Sequence, residues 1–188
     1  MSDNVTRKTK PFDTDRCNSV EPSARALAEG GPVEADISTL ASGDLKVVAW
    51  RGKPIWVMRR TPEMIHALNL PNLLLADPDS KHSMQPVSCD NATRSVRSEI
   101  FVAVGVCTHL GCSPILELSN DSLNLKLHAP GGFFCPCHGS IFDLAGRVVK
   151  DVPAPSNIEI PDYHFASSDK LIIGSFSSRE TPNKSHLL

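Results

Sequence analysis

Two short stretches of this sequence concentrate the side chains that can do chemistry. Residues 107–112 read CTHLGC and residues 135–140 read CPCHGS. Together they hold four of the six cysteines and two of the seven histidines in the chain. Thiolate and imidazole are the ligands that soft and borderline metals prefer, and each stretch offers both kinds. The pattern therefore predicts one metal centre clamped between two loops.

The spacing alone leaves the kind of site open. A structural zinc site is one interpretation, since Cys-x4-Cys and Cys-x-Cys-His supply more than the four ligands that zinc needs. Zinc sites usually take paired ligands at a short, repeated spacing, whereas each stretch here has a Cys, a His and one surplus Cys. A pair of loops joined only by a disulfide is another interpretation. Any assignment of metal ligands therefore has to give the surplus cysteine of each stretch a role.

The two stretches resemble, residue for residue, the cluster loops of Rieske iron–sulfur proteins of the cytochrome bc type. In that family two Cys bind one iron of a 2Fe-2S cluster and two neutral His bind the other, which raises the reduction potential. The resemblance implies one 2Fe-2S cluster with four ligands at the matching positions, Cys107, His109, Cys135 and His138. It also implies a disulfide between Cys112 and Cys137. Oxygenase-type Rieske domains and Rieske ferredoxins generally lack these extra cysteines, so their presence favours the quinol-oxidising branch.

The same resemblance assigns roles around the cluster. Leu110 matches a Leu that shields the cluster edge, and Ser140 matches a Ser whose hydroxyl bonds a bridging sulfide. Residues 152–155, which include Pro155, resemble the proline loop that covers a third side of the cluster and limits water access. Phe142 stands where many members carry a Tyr bonded to a ligand sulfur. Because that hydrogen bond is missing, we predict a lower reduction potential than in Tyr-bearing relatives.

The resemblance implies a function in electron transfer. It makes the chain the iron–sulfur subunit of a quinol–cytochrome c oxidoreductase, with the cytochrome b and cytochrome c subunits as partners. His109 and His138 would dock the quinol and take one electron and one proton, with His138 in direct contact. Two other interpretations are a soluble Rieske-type electron carrier outside any membrane complex and a zinc-stapled binding module without redox function.

Charge and composition narrow the partners and the compartment. The net charge of -2 and pI near 6.4 give no basic surface for nucleic acid. The chain has no long apolar run, and residues 1–25 are polar, so neither an export segment nor the membrane anchor usual in the family is expected here. A lasting disulfide fits an oxidising compartment. We therefore predict the periplasmic face of the bacterial inner membrane, with attachment through partners or through a missing anchor.

Proline and glycine content and short alternating segments predict a mainly β fold, an antiparallel β-sandwich base with an inserted small cluster-binding sub-domain. We expect a polar tail and hinge-like segment over residues 1–31 and a Rieske domain over 32–176. The cluster-binding sub-domain is expected at about 106–155, and a polar tail at 177–188. Strands are predicted at 33–37, 46–50, 54–59, 99–105, 115–118, 123–128, 158–160, 163–165 and 170–176, with a hairpin over 141–149.

Other segments have simpler predictions. Thr61 and Pro62 indicate a helix start, and the helix should end near Leu68 or Asn69. Residues 72–97 are expected to form a long polar loop with some local helix. The remaining side chains that could attract attention are predicted to have no part in the metal centre: Trp50 and Trp56 as packing residues, His66, His82 and His128 as surface or non-ligand histidines, and Cys17 and Cys89 as free or weakly paired thiols.

Overall fold

The computed structural model describes residues 30–174 of the chain. Within that range nine strands form three antiparallel sheets of three, which confirms the mainly β prediction. The strands are β1 (Val33–Asp36), β2 (Leu45–Trp50), β3 (Lys53–Arg59), β4 (Ile100–Val104), β5 (Ile115–Glu117), β6 (Gly132–Phe134), β7 (Ile141–Phe142), β8 (Tyr163–Phe165) and β9 (Lys170–Ile173). The sheet orders are β1-β9-β8, β2-β3-β4 and β5-β6-β7. Cys17 and the C-terminal tail lie outside the described residues, as does nearly all of the N-terminal tail.

The sheet β2-β3-β4 carries the chain to the first Cys-His loop. Arg51 (φ 50°) and Gly52 (φ 71°) both have left-handed backbone and join β2 to β3, as a tight two-residue hairpin requires. All five residues of β4 are buried. The predicted hairpin and the predicted strand before residue 107 are both confirmed.

The strands of the sheet β5-β6-β7 adjoin the two loops in sequence: β5 follows the first loop, and β6 and β7 flank the second. Strand β6 ends at Phe134, directly before Cys135, and β7 begins at Ile141, directly after Ser140. Register pairs Phe133 with Leu116 and with Phe142. The second loop is therefore the connection of a tight antiparallel hairpin, which fixes its two ends.

Helix α1 (Pro62–Leu68) begins and ends where the sequence predicts. The Thr61 hydroxyl accepts a hydrogen bond from the Met64 N–H, and Pro62 occupies the first turn, where its missing N–H costs nothing. Buried Met64 and Leu68 fasten the helix to the main core.

The predicted strand over residues 123–128 is wrong, because the structure has a helix, α2 (Asp121–Leu127), in its place. The Asn120 side chain accepts from the Leu123 N–H and caps the first turn, and His128 ends the helix in left-handed backbone. Leu123 and Leu127, four residues apart, are buried together, whereas Leu125 is 75% exposed. The alternating leucines therefore do not all point to one buried face, as they would in a strand. Leu123 and Leu127 are four residues apart, and this spacing places them on the same face of a helix.

The predicted strand at 158–160 is also absent. That segment is anchored irregularly: the Ile158 N–H bonds the Gly146 carbonyl, the Ile160 N–H bonds the Met84 carbonyl, and the Glu159 carbonyl accepts from Val104. The predicted hairpin over 141–149 is present in short form, with β7 joined to Val148 by one isolated bridge. The 158–160 segment bonds to Met84 and Val104, which are more than 50 residues away in sequence, and no local alternation indicates such partners.

Residues 72–97 form the predicted loop, with one short 3₁₀ turn at Val87–Cys89. The loop is well anchored to the region after the second Cys-His stretch. Leu75 bridges to Val149, and the Ala76 N–H bonds the Val148 carbonyl. The buried guanidinium of Arg94 donates to the carbonyls of Ala145 and Ile158. We call residues 72–97 the belt, because they bond to the chain that follows the second Cys-His stretch.

The main hydrophobic core extends through all three sheets. It also contains Cys107 and Cys135. Trp56, 2% exposed, stacks on Phe133 with ring centroids 4.5 Å apart. Trp50 is half-buried and donates to the Gly31 carbonyl. Both tryptophans are thus packing residues, as predicted.

Gly105 should be intolerant of any side chain. A Cβ there would lie 2.3 Å from Nε1 of Trp56, in the ring that stacks on Phe133. We expect Gly105→Ala to lower the free energy of unfolding by about 1–3 kcal/mol through overpacking. Urea denaturation measures this loss, with Gly30→Ala as the control, since nothing lies within 4 Å of a Cβ at Gly30. Equal stability of the two variants would contradict the prediction.

Within residues 30–174 there is no helix that is both long and apolar enough to cross a membrane.

Candidate metal centre

The two Cys-His stretches fold into loops with the same backbone frame. In the first, the Cys107 N–H donates to the Cys112 carbonyl (2.7 Å) and the Gly111 N–H donates to the Cys107 carbonyl (3.1 Å). In the second, the Cys135 N–H donates to the Ser140 carbonyl (2.8 Å) and the Gly139 N–H donates to the Cys135 carbonyl (2.9 Å). Each glycine has left-handed backbone, with φ +85° and +78°. Glycine adopts this conformation without steric cost, so it closes each loop.

The first cysteine of each loop lies at its buried base. Cys107 and Cys135 are each 2% exposed. Burial raises the pKa of the Cys107 thiol, and hydrogen bonding to Cys135 raises this pKa further, whereas hydrogen bonds from the His109 N–H and the Ser140 side chain lower it. The two thiols are therefore neighbours at the end of the core, already supplied with hydrogen-bond donors that favour a thiolate.

The side chains of the two loop histidines contact each other. The rings of His109 and His138 lie edge to face, with centroids 4.8 Å apart. His109 is half-buried and His138 is exposed. Because metal–nitrogen bonds are about 2 Å long, rings this close can bind the same metal ion. The arrangement gives a four-donor set with sulfur on the protein side and imidazole on the solvent side.

A disulfide joins the two loops. Cys112 and Cys137 are bonded, with Cα atoms 6.6 Å apart and a sequence separation of 25. The Cys135 sulfur lies within 4.8 Å of both disulfide sulfurs. That trio is a poor metal site because bonded sulfurs offer no thiolate. The disulfide cross-links the two loops, and the two remaining loop cysteines, Cys107 and Cys135, are free thiols.

The proline loop, residues 152–155, is tied to both Cys-His loops. The Ala154 N–H donates to the hydroxyl of fully buried Ser140 (3.0 Å). The hydroxyl of Thr108 donates to the carbonyl of Ser156 (2.7 Å). Pro155 lies between these two attachments and is exposed. One side of the site is thus closed by a segment that the two loops themselves hold.

Leu110 and Phe142 occupy opposite environments. Leu110 is 71% exposed at the tip of the first loop. Phe142 is completely buried and lies in register with Phe133 of the neighbouring strand. The structure therefore has an apolar side chain at the surface beside His109 and a second apolar side chain beneath the second loop.

The remaining cysteine and histidines of interest lie elsewhere. Cys89 is buried in the main core with its sulfur 3.8 Å from the Tyr163 hydroxyl. Among the histidines, His66 on α1, His82 in the belt and His128 at the end of α2 are exposed. The structure thus offers no second Cys-His cluster among the described residues.

Sequence reasoning missed how the site is fastened. Thr108, between two predicted ligands, serves the proline loop through its hydroxyl. Asn157, two residues beyond the predicted proline loop, is 2% exposed and hydrogen-bonded on all sides. Neither role has a spacing signal, because the partners come from distant parts of the chain.

The donor set fits a cluster of the Rieske type. Two buried free thiols and two adjacent imidazoles provide the S₂N₂ ligands that such a 2Fe-2S centre takes. The buried Ser140 hydroxyl and loop N–H groups beside the sulfurs suit anionic sulfur. Zinc sites use the same donor types. Among the described residues, however, these four donors do not form a group whose ligand atoms all lie within 4.8 Å of one another, as binding to one ion would require.

Comparison with known proteins distinguishes an iron–sulfur centre from a zinc site. The family model of the Rieske [2Fe-2S] domain matches residues 82–164. The chain is 52% identical over 156 residues to the ubiquinol-cytochrome c reductase iron-sulfur subunit of Allochromatium vinosum, covering 83% of this chain and 75% of that protein. Identity to the subunit of the same name from Bradyrhizobium diazoefficiens is 38%, covering 84% and 80%. For the mitochondrial Rieske subunit of the cytochrome b-c1 complex of Neurospora crassa it is 41%, covering 83% and 59%.

Such identity over most of two proteins, together with the loops, the disulfide and the donor set, decides the family. The chain belongs to the Rieske [2Fe-2S] iron–sulfur proteins, in the group of the ubiquinol-cytochrome c reductase iron-sulfur subunits.

Proposed function

We propose that this protein transfers electrons from quinol to a c-type cytochrome, as the iron–sulfur subunit of a quinol–cytochrome c oxidoreductase. The observation that carries the proposal is the pair of imidazoles, His109 and His138, at the surface above two buried thiols. The relatives named as ubiquinol-cytochrome c reductase subunits support the same activity.

The ligands of the 2Fe-2S cluster are Cys107, His109, Cys135 and His138. When bound, the cluster supplies a one-electron acceptor and donor whose potential is raised by the two neutral imidazoles. The Ser140 hydroxyl stabilises negative charge on sulfur, and the disulfide between Cys112 and Cys137 keeps the two loops together. The division into a base and a cluster-binding sub-domain of about residues 106–155 belongs to this proposal.

The quinol binds at the exposed end of the site. His138, the more exposed ligand, hydrogen-bonds the quinol hydroxyl through its solvent-facing ring nitrogen and receives the proton there. His109 lies against it and completes the polar surface. Leu110, largely exposed beside His109, provides apolar contact for the quinol ring and shields the cluster edge, and the segment around Pro155 excludes water from the other side.

The partners are the cytochrome b and cytochrome c subunits of a bc complex, at the periplasmic face of the inner membrane. The relatives named for membrane-complex subunits support this placement, and the disulfide agrees with an oxidising compartment. Fractionation of the native protein tests it. Co-sedimentation with b-type and c-type haem in washed membranes is expected, and recovery free in the periplasmic extract would point to a soluble Rieske carrier.

Pulsed EPR of the reduced protein tests the metal centre. We expect a 2Fe-2S signal with hyperfine coupling to two imidazole nitrogens, and coupling to one nitrogen after His138→Cys. His128→Gln, an exposed histidine at the end of α2, is the matched control and should keep both couplings. A colourless protein that contains zinc, or a cluster without nitrogen coupling, would refute the proposal.

Phe142→Tyr should raise the reduction potential. A hydroxyl added to this fully buried ring has to find an acceptor, and a ligand sulfur is the acceptor that the family resemblance implies. One extra hydrogen bond to charged sulfur is worth about 1 kcal/mol, which corresponds to roughly 40 mV for one electron. Redox titration of the purified protein measures the shift. An unchanged or lower reduction potential in Phe142→Tyr would contradict the prediction that a hydrogen bond to a ligand sulfur is missing in this protein.

A further inference from the structure

We infer that Asn157 is the positioning residue that holds the proline loop over the metal centre. The inference rests on the proposed function, since the loop has a site to cover only if the cluster is bound there. Asn157 is not a ligand and lies two residues after Pro155, with 2% of its surface exposed. Its side chain acts on the site through the backbone of the loop.

The Asn157 amide joins three segments of the chain. Its Oδ1 accepts from the Val148 N–H at 2.8 Å, in the segment that follows β7. Its Nδ2 donates to the Asp77 carbonyl at 2.9 Å and to the Ser80 hydroxyl at 3.0 Å, both in the belt. A buried amide with its donors and acceptor satisfied is fixed in one orientation, and an unsatisfied one is costly.

The belt can serve as an anchor because it is itself well held. The Asp77 carboxylate accepts from the N–H groups of Lys81 and His82 and from the Ser83 hydroxyl, so the turn that presents the Asp77 carbonyl is internally braced. Arg147, almost fully buried, donates to the Pro78 carbonyl next to that turn. Asn157 therefore bonds to a rigid partner.

Because Asn157 follows the proline loop by two residues, fixing its side chain also restrains the backbone of that loop. The neighbouring Ser156 carbonyl receives the Thr108 hydroxyl from the first Cys-His loop, and the Ala154 N–H bonds Ser140 in the second. Since Pro153 and Pro155 have no N–H, this stretch makes few backbone bonds of its own. The fixed Asn157 side chain anchors the C-terminal side of this stretch, next to the bond between the Ile158 N–H and the Gly146 carbonyl.

Asn72 offers a matched control. It is also an amide that links the belt to the site region, since its Nδ2 donates to the Leu127 carbonyl at 3.0 Å and its Oδ1 accepts from Leu74. It holds the end of α2 and makes no bond to the proline loop. A purely structural effect of losing one bridging amide should therefore be shared by Asn72→Leu and Asn157→Leu.

Hydrogen exchange of the cluster-loaded protein, read by mass spectrometry, tests the inference. In a peptide covering residues 152–157 the prolines are silent, so the signal reports the remaining amides, including Ala154. Loss of the three hydrogen bonds of the Asn157 side chain should speed exchange there by about tenfold in Asn157→Leu. Asn72→Leu should leave the exchange of this peptide unchanged. The rate of iron release to a chelator can be measured from the loss of visible absorbance. This rate should be higher than in the wild type for Asn157→Leu and unchanged for Asn72→Leu.

Ser80→Ala provides a milder variant if Asn157→Leu does not fold. It removes one of the two acceptors of Nδ2 and should raise exchange in the same peptide by a factor of about two to five. Unchanged exchange in Asn157→Leu, or in Ser80→Ala when the first variant is unfolded, would overturn the inference, as would an equal rise in Asn72→Leu. If the wild-type protein binds no 2Fe-2S cluster, the proposed function is refuted instead. The two failures are distinguishable, because hydrogen exchange reports on the loop whether or not a cluster is bound.

Discussion

Asp143→Ala is expected to lower the free energy of unfolding by about 3–5 kcal/mol, because it leaves a buried guanidinium without its counterion. Arg147 Nε lies 2.7 Å from Asp143 Oδ2, and the two side chains are 6% and 4% exposed. The other carboxylate oxygen accepts from the N–H groups of Ala145 and Arg147. The substitution therefore also removes the acceptor that shapes the turn after β7.

Urea denaturation followed by tryptophan fluorescence measures this loss. Asp79→Ala is the matched control, since its partner Lys81 is 3.1 Å away but both side chains are about 70% exposed, and such surface pairs contribute at most about 1 kcal/mol. The double variant Asp143→Ala with Arg147→Met should be more stable than Asp143→Ala alone, because no buried charge is left unpaired. A loss below about 1 kcal/mol for Asp143→Ala would contradict the assignment.

Removing the disulfide is expected to cost about 3–4 kcal/mol of stability. The bond closes a loop of 25 residues, and cross-linking a chain over that length lowers the entropy of the unfolded state by a corresponding amount. The double variant Cys112→Ala with Cys137→Ala avoids a new free thiol. Denaturation under non-reducing conditions gives the difference from the wild type.

Cys89→Ala controls for loss of a buried sulfur. Cys89 is fully buried and outside the disulfide, so its replacement should cost only about 1 kcal/mol. Addition of a reductant should narrow the gap between the wild type and the double alanine variant. If the double variant is as stable as Cys89→Ala, the disulfide does not stabilise the fold in the way proposed.

The predictions from sequence succeeded where the signal is local. Thr61 and Pro62 place the start of α1 by capping chemistry, and Arg51 with Gly52 places a hairpin turn. The Cys-His stretches resemble their family at every position that the structure brings together. In each case the residues that decide the structure are neighbours in the chain.

The failures share a different cause. Residues 123–127 alternate like a strand but are helical, because Asn120 caps the segment and the partners of Leu123 and Leu127 are Leu75 and Val149. Nothing nearby in the sequence reveals those partners. The belt is the predicted loop with a short helical turn, but its bonds to Asn157 and to the segment after β7 depend on tertiary contacts that the sequence did not indicate. The fastening of the site is therefore the part that only a structure can supply.

The shared frame of the two loops separates backbone design from ligand choice. Both loops are closed by the same two backbone bonds and one glycine, yet His109 follows its cysteine by two positions and His138 by three. The last position of the frame holds a disulfide cysteine in one loop and a hydroxyl in the other, Cys112 and Ser140. The shared frame thus fixes the main-chain path of each loop without fixing which position carries the imidazole, or whether the last position carries a sulfur or a hydroxyl.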